Sequence, residues 1–177
     1  VSERVRELIT HLGLIPHPER GYYVETYRSQ LRVKGVDRGG ASIAPATDPG
    51  LRSASTAIYF LITSEAPSTY LHRLRSDEVF HLYEGGPLDV LLLRDAEEPK
   101  VARLGLDLAK GERPQLVIPN GTWFGAELVD RKGHCLIGCT VAPGFEFADF
   151  ELAAGAELAE RFPSEAQRIA RMSRPGE

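Results

Sequence analysis

The 177-residue chain has little that would commit it to a membrane, a nucleic acid or a covalent nucleophile. No apolar run approaches the roughly 18 residues of a membrane span. The N-terminal segment is charged and amphipathic, without the apolar centre of a secretion signal. The expectation is a cytoplasmic protein that does not engage a membrane. Positive charge is also short: 21 Lys and Arg stand against 25 Asp and Glu, a formal net charge of −4. The basic residues, among them Arg4, Arg6, Arg28, Arg73 and Arg103, are scattered, so no nucleic-acid partner is expected. Only two cysteines occur, Cys135 and Cys139. Four apart on one expected strand, they would stand about 13 Å apart, too far for a disulfide, and read as buried core thiols. There is no nucleophile elbow and no Ser-His-Asp order of an acyl-transfer hydrolase. Gly85-Gly-Pro87 and Gly111-Glu-Arg-Pro114 read as turns, since neither opens a helix after a strand.

What is present suits one domain over 1–177, with 42% hydrophobic residues to build its core. Ser2 as N-cap and Val5, Leu8, Ile9 and Leu12 at helical spacing predict a helix within 1–13, ended by Gly13. Residues 14–150 read as β structure, broken at 33–52 by a Gly-, Ala-, Ser- and Pro-rich stretch expected to be a mobile loop. Short strands are predicted at 55–63, 69–74, 78–83, 88–94, 101–104, 115–118, 122–128 and 134–141, a spacing that suits an all-β sandwich or barrel. Asn120-Gly121 is the strongest hairpin signal. Short helices are expected within 156–172, the second capped by Ser164 and stopped near Pro175.

The segment His72-Arg-Leu-Arg-Ser-Asp-Glu78-Val-Phe-His81-Leu-Tyr-Glu-Gly85 sets an imidazole and a carboxylate six positions apart across an expected hairpin turn at 75–77. Alternation puts His72 with Leu74 on one face, and Glu78 with Phe80 and Leu82 on one face, with His81 opposite. This segment resembles the first signature of the cupin superfamily, with His72, Glu78 and Gly85 in the motif positions and Leu74 where a second histidine would stand. Pro119-Asn-Gly-Thr-Trp-Phe124 resembles the second signature, with Phe124 in place of its histidine. A closer resemblance, to the DUF985 (cupin-5) subfamily, rests on five segments in order: His17 to Ser29, Ser55 to Ile62, Ser76 to His81, Pro119 to Phe124 and Cys139 to Phe147. Arg20 stands where many members have glycine, and Phe80 where many have tryptophan. The resemblance implies an all-β protein with short flanking helices, a cupin-type jelly roll closed into a double-stranded β-helix barrel. With Leu74 and Phe124 replacing two of the four ligands of metal-binding cupins, no metal or other cofactor is expected. Only a weak divalent-metal site at His72 and Glu78 remains conceivable.

A buried histidine and carboxylate must offset their desolvation by meeting each other or a ligand. His72 and Glu78 are therefore the candidate catalytic pair, against the plainer reading of a hydrogen-bonded core pair. Tyr23, Glu25, Leu74, His81, Gln115, Trp123 and Phe124 are candidate ligand-binding residues. Against them stand edge-strand packing for Tyr23, a structural role for His81 and ordinary core burial for the aromatics. His11 and His17 read as solvated, and His134 has no partner visible in sequence. The functional expectation is a barrel that binds a small polar metabolite: a sugar, a nucleotide sugar or an acidic compound. Its enzymatic form is a metal-independent epimerase or isomerase, and the alternatives are a non-catalytic binding protein, a weakly metal-dependent enzyme or a structural dimer. A homodimer is expected, with the Tyr22–Tyr27 strand as the exchange element.

Overall fold

The computed structural model describes residues 2–34 and 51–174. The N-terminal helix α1 (Glu3–Leu12) forms where its apolar spacing predicts. The Ser2 hydroxyl accepts from the Val5 N–H, and Gly13 ends the helix in the left-handed region at φ 65°. Thirteen strands follow among the described residues: β1 (Ile15–Pro16), β2 (Tyr22–Arg28), β3 (Arg32–Lys34), β4 (Leu51–Ser53), β5 (Thr56–Thr63), β6 (His72–Arg73), β7 (Asp77–Gly85), β8 (Leu88–Leu93), β9 (Lys100–Leu104), β10 (Gln115–Ile118), β11 (Trp123–Leu128), β12 (His134–Ala142) and β13 (Glu151–Leu152). Helices α2 (Gly155–Arg161) and α3 (Ala166–Arg171) close the described chain.

The strands form a six-stranded sheet in the order β1-β2-β5-β12-β7-β10, a five-stranded sheet in the order β13-β6-β11-β8-β9, and the small β3-β4 ribbon. The named pairings are all antiparallel. Each sheet is two-faced because side chains alternate. Phe60, Ile62, Phe80, Ile118, Ile137 and Cys139 of the large sheet meet Leu88, Val90, Phe124, Ala126 and Leu128 of the small one in a shared core. On the far side of the large sheet, Val5 and Leu8 of α1 pack on Leu61 and Leu136. On the far side of the small sheet, Leu91, Leu93 and Trp123 meet Leu158, Phe162, Ile169 and Met172.

The expected all-β, closed barrel is therefore corrected. The architecture is a mixed α/β one built on large antiparallel sheets, and among the described residues no sheet closes into a barrel. Closure needs continuous edge-to-edge hydrogen bonding. Between the β9 and β10 edges the structure records only the isolated Leu104–Arg113 bridge and its neighbouring backbone bonds. The all-β label fails as well, because the helices supply core side chains to both outer layers.

Two expected hairpins are corrected too. β6 pairs with β11 and β13, whereas β7 pairs with β12 and β10, so the turn at 75–77 carries the chain from one sheet to the other. Asn120-Gly121 does the same between β10 and β11. The two crossings are tied together: the Asn120 N–H donates to Asp77 Oδ1 at 2.8 Å and the Gly121 N–H to the Leu74 carbonyl at 2.8 Å. Of the loop expected over 33–52, residues 35–50 lie outside the described residues, and its ends pair as β3 and β4 instead of forming loop. Pro175, the expected stop of the last helix, also lies outside the described residues. Ser164 does not cap that helix, which starts at Ala166 after a 3-10 turn over Pro163–Glu165.

Candidate functional site

The crossing between sheets is what brings His72 and Glu78 together. β6 delivers His72 from the small sheet and β7 delivers Glu78 from the large one, both to the shared interior, where they are 5% and 6% exposed. A third element completes the group. The Glu19 carbonyl accepts from the Tyr70 N–H at 2.9 Å, which draws the turn before β2 against the segment entering β6. Glu19 Oε2 then lies 2.7 Å from His72 Nδ1, and Glu19 Oε1 lies 3.4 Å from His17 Nδ1. His72 Nδ1 also lies 2.8 Å from the Tyr70 carbonyl oxygen. Both neighbours are acceptors, so Nδ1 carries the proton.

The result is a buried set of four ionisable side chains, His17, Glu19, His72 and Glu78, beside the Cys139 thiol. Aromatic rings enclose it. The Phe124 ring is 4.1 Å from the His72 ring, centroid to centroid, and Phe150 is 5.2 Å from it. Tyr23 meets His17 edge-on at 4.6 Å, and Phe60, Phe147 and Phe150 complete the shell. The covering segment 145–150 is fastened by ion pairs. Arg28 holds Glu146 at 2.8 Å and donates to the Phe145 carbonyl, while Arg52 holds Asp149 at 2.9 Å.

The electrostatics of the set are uneven. Burial pushes the Glu78 carboxyl up to about 8, the His72 charge opposes this and Glu19 adds to it, so Glu78 is a neutral acid at pH 7. Among the described residues its Oε2 has no hydrogen-bond partner, while the Cys139 thiol donates to the carboxyl group. Burial also opposes charge on Glu19 and His72, yet each favours the charged form of the other. Glu19 is thereby held below the usual carboxylate range and His72 above the usual imidazole range. His17 moves the opposite way. Its burial, together with the His72 charge, outweighs Glu19 and lowers its pKa, leaving a neutral imidazole. The site thus combines a charged Glu19–His72 pair with a neutral base, His17, and a neutral acid, Glu78. Burial raises the Cys139 thiol well above its ordinary value and pushes Cys135 up to about 12, so both are protonated.

Of the residues expected to join His72 and Glu78, the structure brings Phe124 and Tyr23 to the group. Leu74 is buried, and its carbonyl serves the crossing at Gly121. The others lie elsewhere. His81 and Gln115 pair with each other across β7 and β10 at 3.1 Å, on the face of the large sheet opposite Glu78, with Thr140 at 3.3 Å from His81. Glu25 is an exposed partner of Arg28 at 2.8 Å. Trp123 alternates away from Phe124 into the helix-side core, with the Arg73 guanidinium 4.3 Å above its ring.

His17 and Glu19 were not among the residues expected at the site. The solvated turn expected at His17 is corrected, since its side chain is 6% exposed. His134, without a visible partner in sequence, bonds Glu84 at 3.0 Å, and Arg4 holds the same carboxylate at 2.7 Å.

A cupin-type metal does not fit these residues. Phe124 lies directly across from His72 in the register and covers its ring, where a ligating imidazole would have to stand. Among the described residues no group of three or more His, Cys, Asp or Glu side chains is arranged to hold a metal ion.

Two face-to-face antiparallel sheets carrying a His/Glu set on these crossings define a cupin-like protein with an altered motif. The chain belongs to the cupin superfamily family DUF985, whose model matches residues 6–153. It is 31% identical over 150 residues to the uncharacterized protein YML079W of Saccharomyces cerevisiae, covering 82% of this chain and 73% of that one. Among solved structures it resembles protein SO0799 from Shewanella oneidensis, with a TM-score of 0.79 and 34% identity over 96% of each chain. It also resembles a hypothetical protein from Leishmania major, with a TM-score of 0.80 and 32% identity over 95% of this chain and 97% of that one. Among the described residues no helix is long and apolar enough to cross a membrane.

Proposed function

We propose that the protein binds a small polar metabolite, a sugar, nucleotide sugar or acidic compound, at the His17–Glu19–His72–Glu78 group, and moves a proton on it without a metal. The observation that carries this is the Oε2 of Glu78, without a hydrogen-bond partner among the described residues, beside three other ionisable groups. A buried carboxyl oxygen without a partner costs about 1–3 kcal/mol, which a ligand hydroxyl or carbonyl would relieve. Epimerases and isomerases of carbonyl compounds need a base to remove an acidic proton and an acid to return one. Here Glu78 is the acid, an imidazole is the base, and Glu19 holds the charge and orientation of His72. The rings of Phe80 and Phe124 keep the dielectric low, which maintains Glu78 in its neutral form.

Closure of the group beneath Phe147 and Phe150 favours a second reading, binding without turnover. A thermal-shift screen of sugars, nucleotide sugars and keto acids finds the ligand, and deuterium uptake from D2O into that ligand separates the readings. The proton-transfer reading expects uptake at a carbon next to a carbonyl by the native protein, lost in Glu78→Gln. Binding with no uptake would leave the second reading standing. The assembly is taken to be a homodimer built on β2. β1 pairs only with Tyr22 and Tyr23, so the edge from Val24 to Arg28 bonds β5 on one side and is open on the other among the described residues.

A further inference from the structure

Away from the buried group, a depression of about 380 Å³ lies on the surface between the turn before β2, the loop after β5 and the C-terminal helix. Arg20, Arg131 and Arg171 line it together with Glu65, Ala66, Pro67 and Ser68, so three arginines and one acidic residue share its walls. Arg131 and Arg171 are gathered from behind by Glu127, which is 6% exposed and shared with Arg168: Arg131 at 3.3 Å, Arg168 at 2.8 Å and Arg171 at 3.4 Å. Glu165 takes up part of the Arg168 charge at 3.4 Å. One carboxylate serving three arginines leaves most of their N–H donors without it, since each guanidinium carries five.

Arg20 is positioned at a conformational cost. Its φ of 76° is in the left-handed region, which a Cβ disfavours. Its guanidinium is nevertheless fixed, 4.2 Å over the Tyr70 ring with Nη1 donating to Ser68 Oγ at 3.3 Å, and Arg174 approaches the same ring at 5.8 Å.

We propose that this depression is an oxyanion site for the phosphate group of a small molecule, with Arg20, Arg131 and Arg171 as the binding residues and Glu127 as the positioning residue. Guanidinium forks match phosphate oxygens two at a time, and a dianion relieves the mutual repulsion of the three cations. The site does not depend on the reading of the buried group.

Calorimetric titration of the full chain with inorganic phosphate and with pyrophosphate, at constant ionic strength, tests it. The expected result is saturable binding at one site, weakened at least about tenfold by Arg20→Gly and by Arg131→Gln, as for the loss of one charge-assisted hydrogen bond. Arg20→Gly suits the left-handed backbone, so its melting temperature without phosphate should not fall, and a loss of affinity cannot then be ascribed to misfolding. Tighter binding of pyrophosphate than of phosphate would identify a diphosphate-bearing ligand, and equal binding a monophosphate. Absence of saturable binding to both in the native protein, or affinity unchanged in both variants, would overturn the proposal.

Discussion

At the scale of single residues, one carboxyl group is kept protonated by burial. Glu78 has a native pKa near 8, well above that of an unfolded glutamate. Between the two values the native state holds a proton that the unfolded state has lost, so stability falls as pH rises from about 4.5 to 8. The slope is about 1.4 kcal/mol per pH unit, and the fall stops once both states are ionised. His72, raised, adds a decline at its own titration, while Glu19, lowered, contributes stability that is lost on the acid side. Glu78→Gln removes the Glu78 part together with the small share that Glu78 contributes to raising His72. Urea unfolding of both proteins from pH 5 to 9 should show the variant gaining on the native protein by a few kcal/mol toward the alkaline end. Parallel curves would contradict the assignment. The burial of His72 and Glu78 was legible in the sequence because the motif spacing is local. His17 and Glu19 were not, because a turn beside a proline ordinarily points to water. The backbone bond from Tyr70 to the Glu19 carbonyl and the Arg20 contacts with Ser68 and Tyr70 tie this one against the segment entering β6.

At the scale of elements, strand positions were largely legible and their pairing was not. Alternation along β7 put Glu78 and Phe80 on one face, and both are buried. Turn chemistry at Ser76-Asp77 and Asn120-Gly121 suits a hairpin and a crossing equally well, since neither records which sheet receives the next strand. Gly85 shows a requirement that is local and testable. It holds φ 72°, and a Cβ there would run into the His134 carbonyl oxygen at the end of β12. Backbone on both sides cannot give way, so Gly85→Ala should cost roughly 1–3 kcal/mol in urea unfolding. Gly111 also has positive φ but meets nothing within 4 Å, so Gly111→Ala serves as the control and should cost less. The cover over the buried group is a second element with a consequence. Arg28 and Arg52 pin segment 145–150 through Glu146 and Asp149. Phe147→Ala with Phe150→Ala should speed hydrogen–deuterium exchange around His17 and Tyr70 while leaving β8 protected. Exchange unchanged at His17 and Tyr70 would show that these rings do not control access.

At the scale of the whole molecule, the layered order of helix, large sheet, small sheet and helices could not be read from hydrophobic pattern. The pattern states that a face is covered, not by what. α1 was visible as an amphipathic helix, yet its seat on Leu61 and Leu136 was not. The β2 edge, open among the described residues, is the basis of the proposed dimer: light scattering at micromolar concentration should give twice the 19.5 kDa of one chain. Thr26→Pro, on that edge, should shift the mass toward a single chain, and a monomeric native protein would contradict the dimer. The proposed proton transfer depends on the intact interior holding a neutral acid beside a charged Glu19–His72 pair. The most direct test is the titration of Glu78 in the folded protein, followed through its side-chain carboxyl carbon by NMR with Glu78→Gln to assign the signal. A midpoint near 8, with the carboxyl protonated at pH 7, is the predicted result. A midpoint in the ordinary glutamate range, about 4 to 5, would contradict the acid role on which the proposed proton transfer rests.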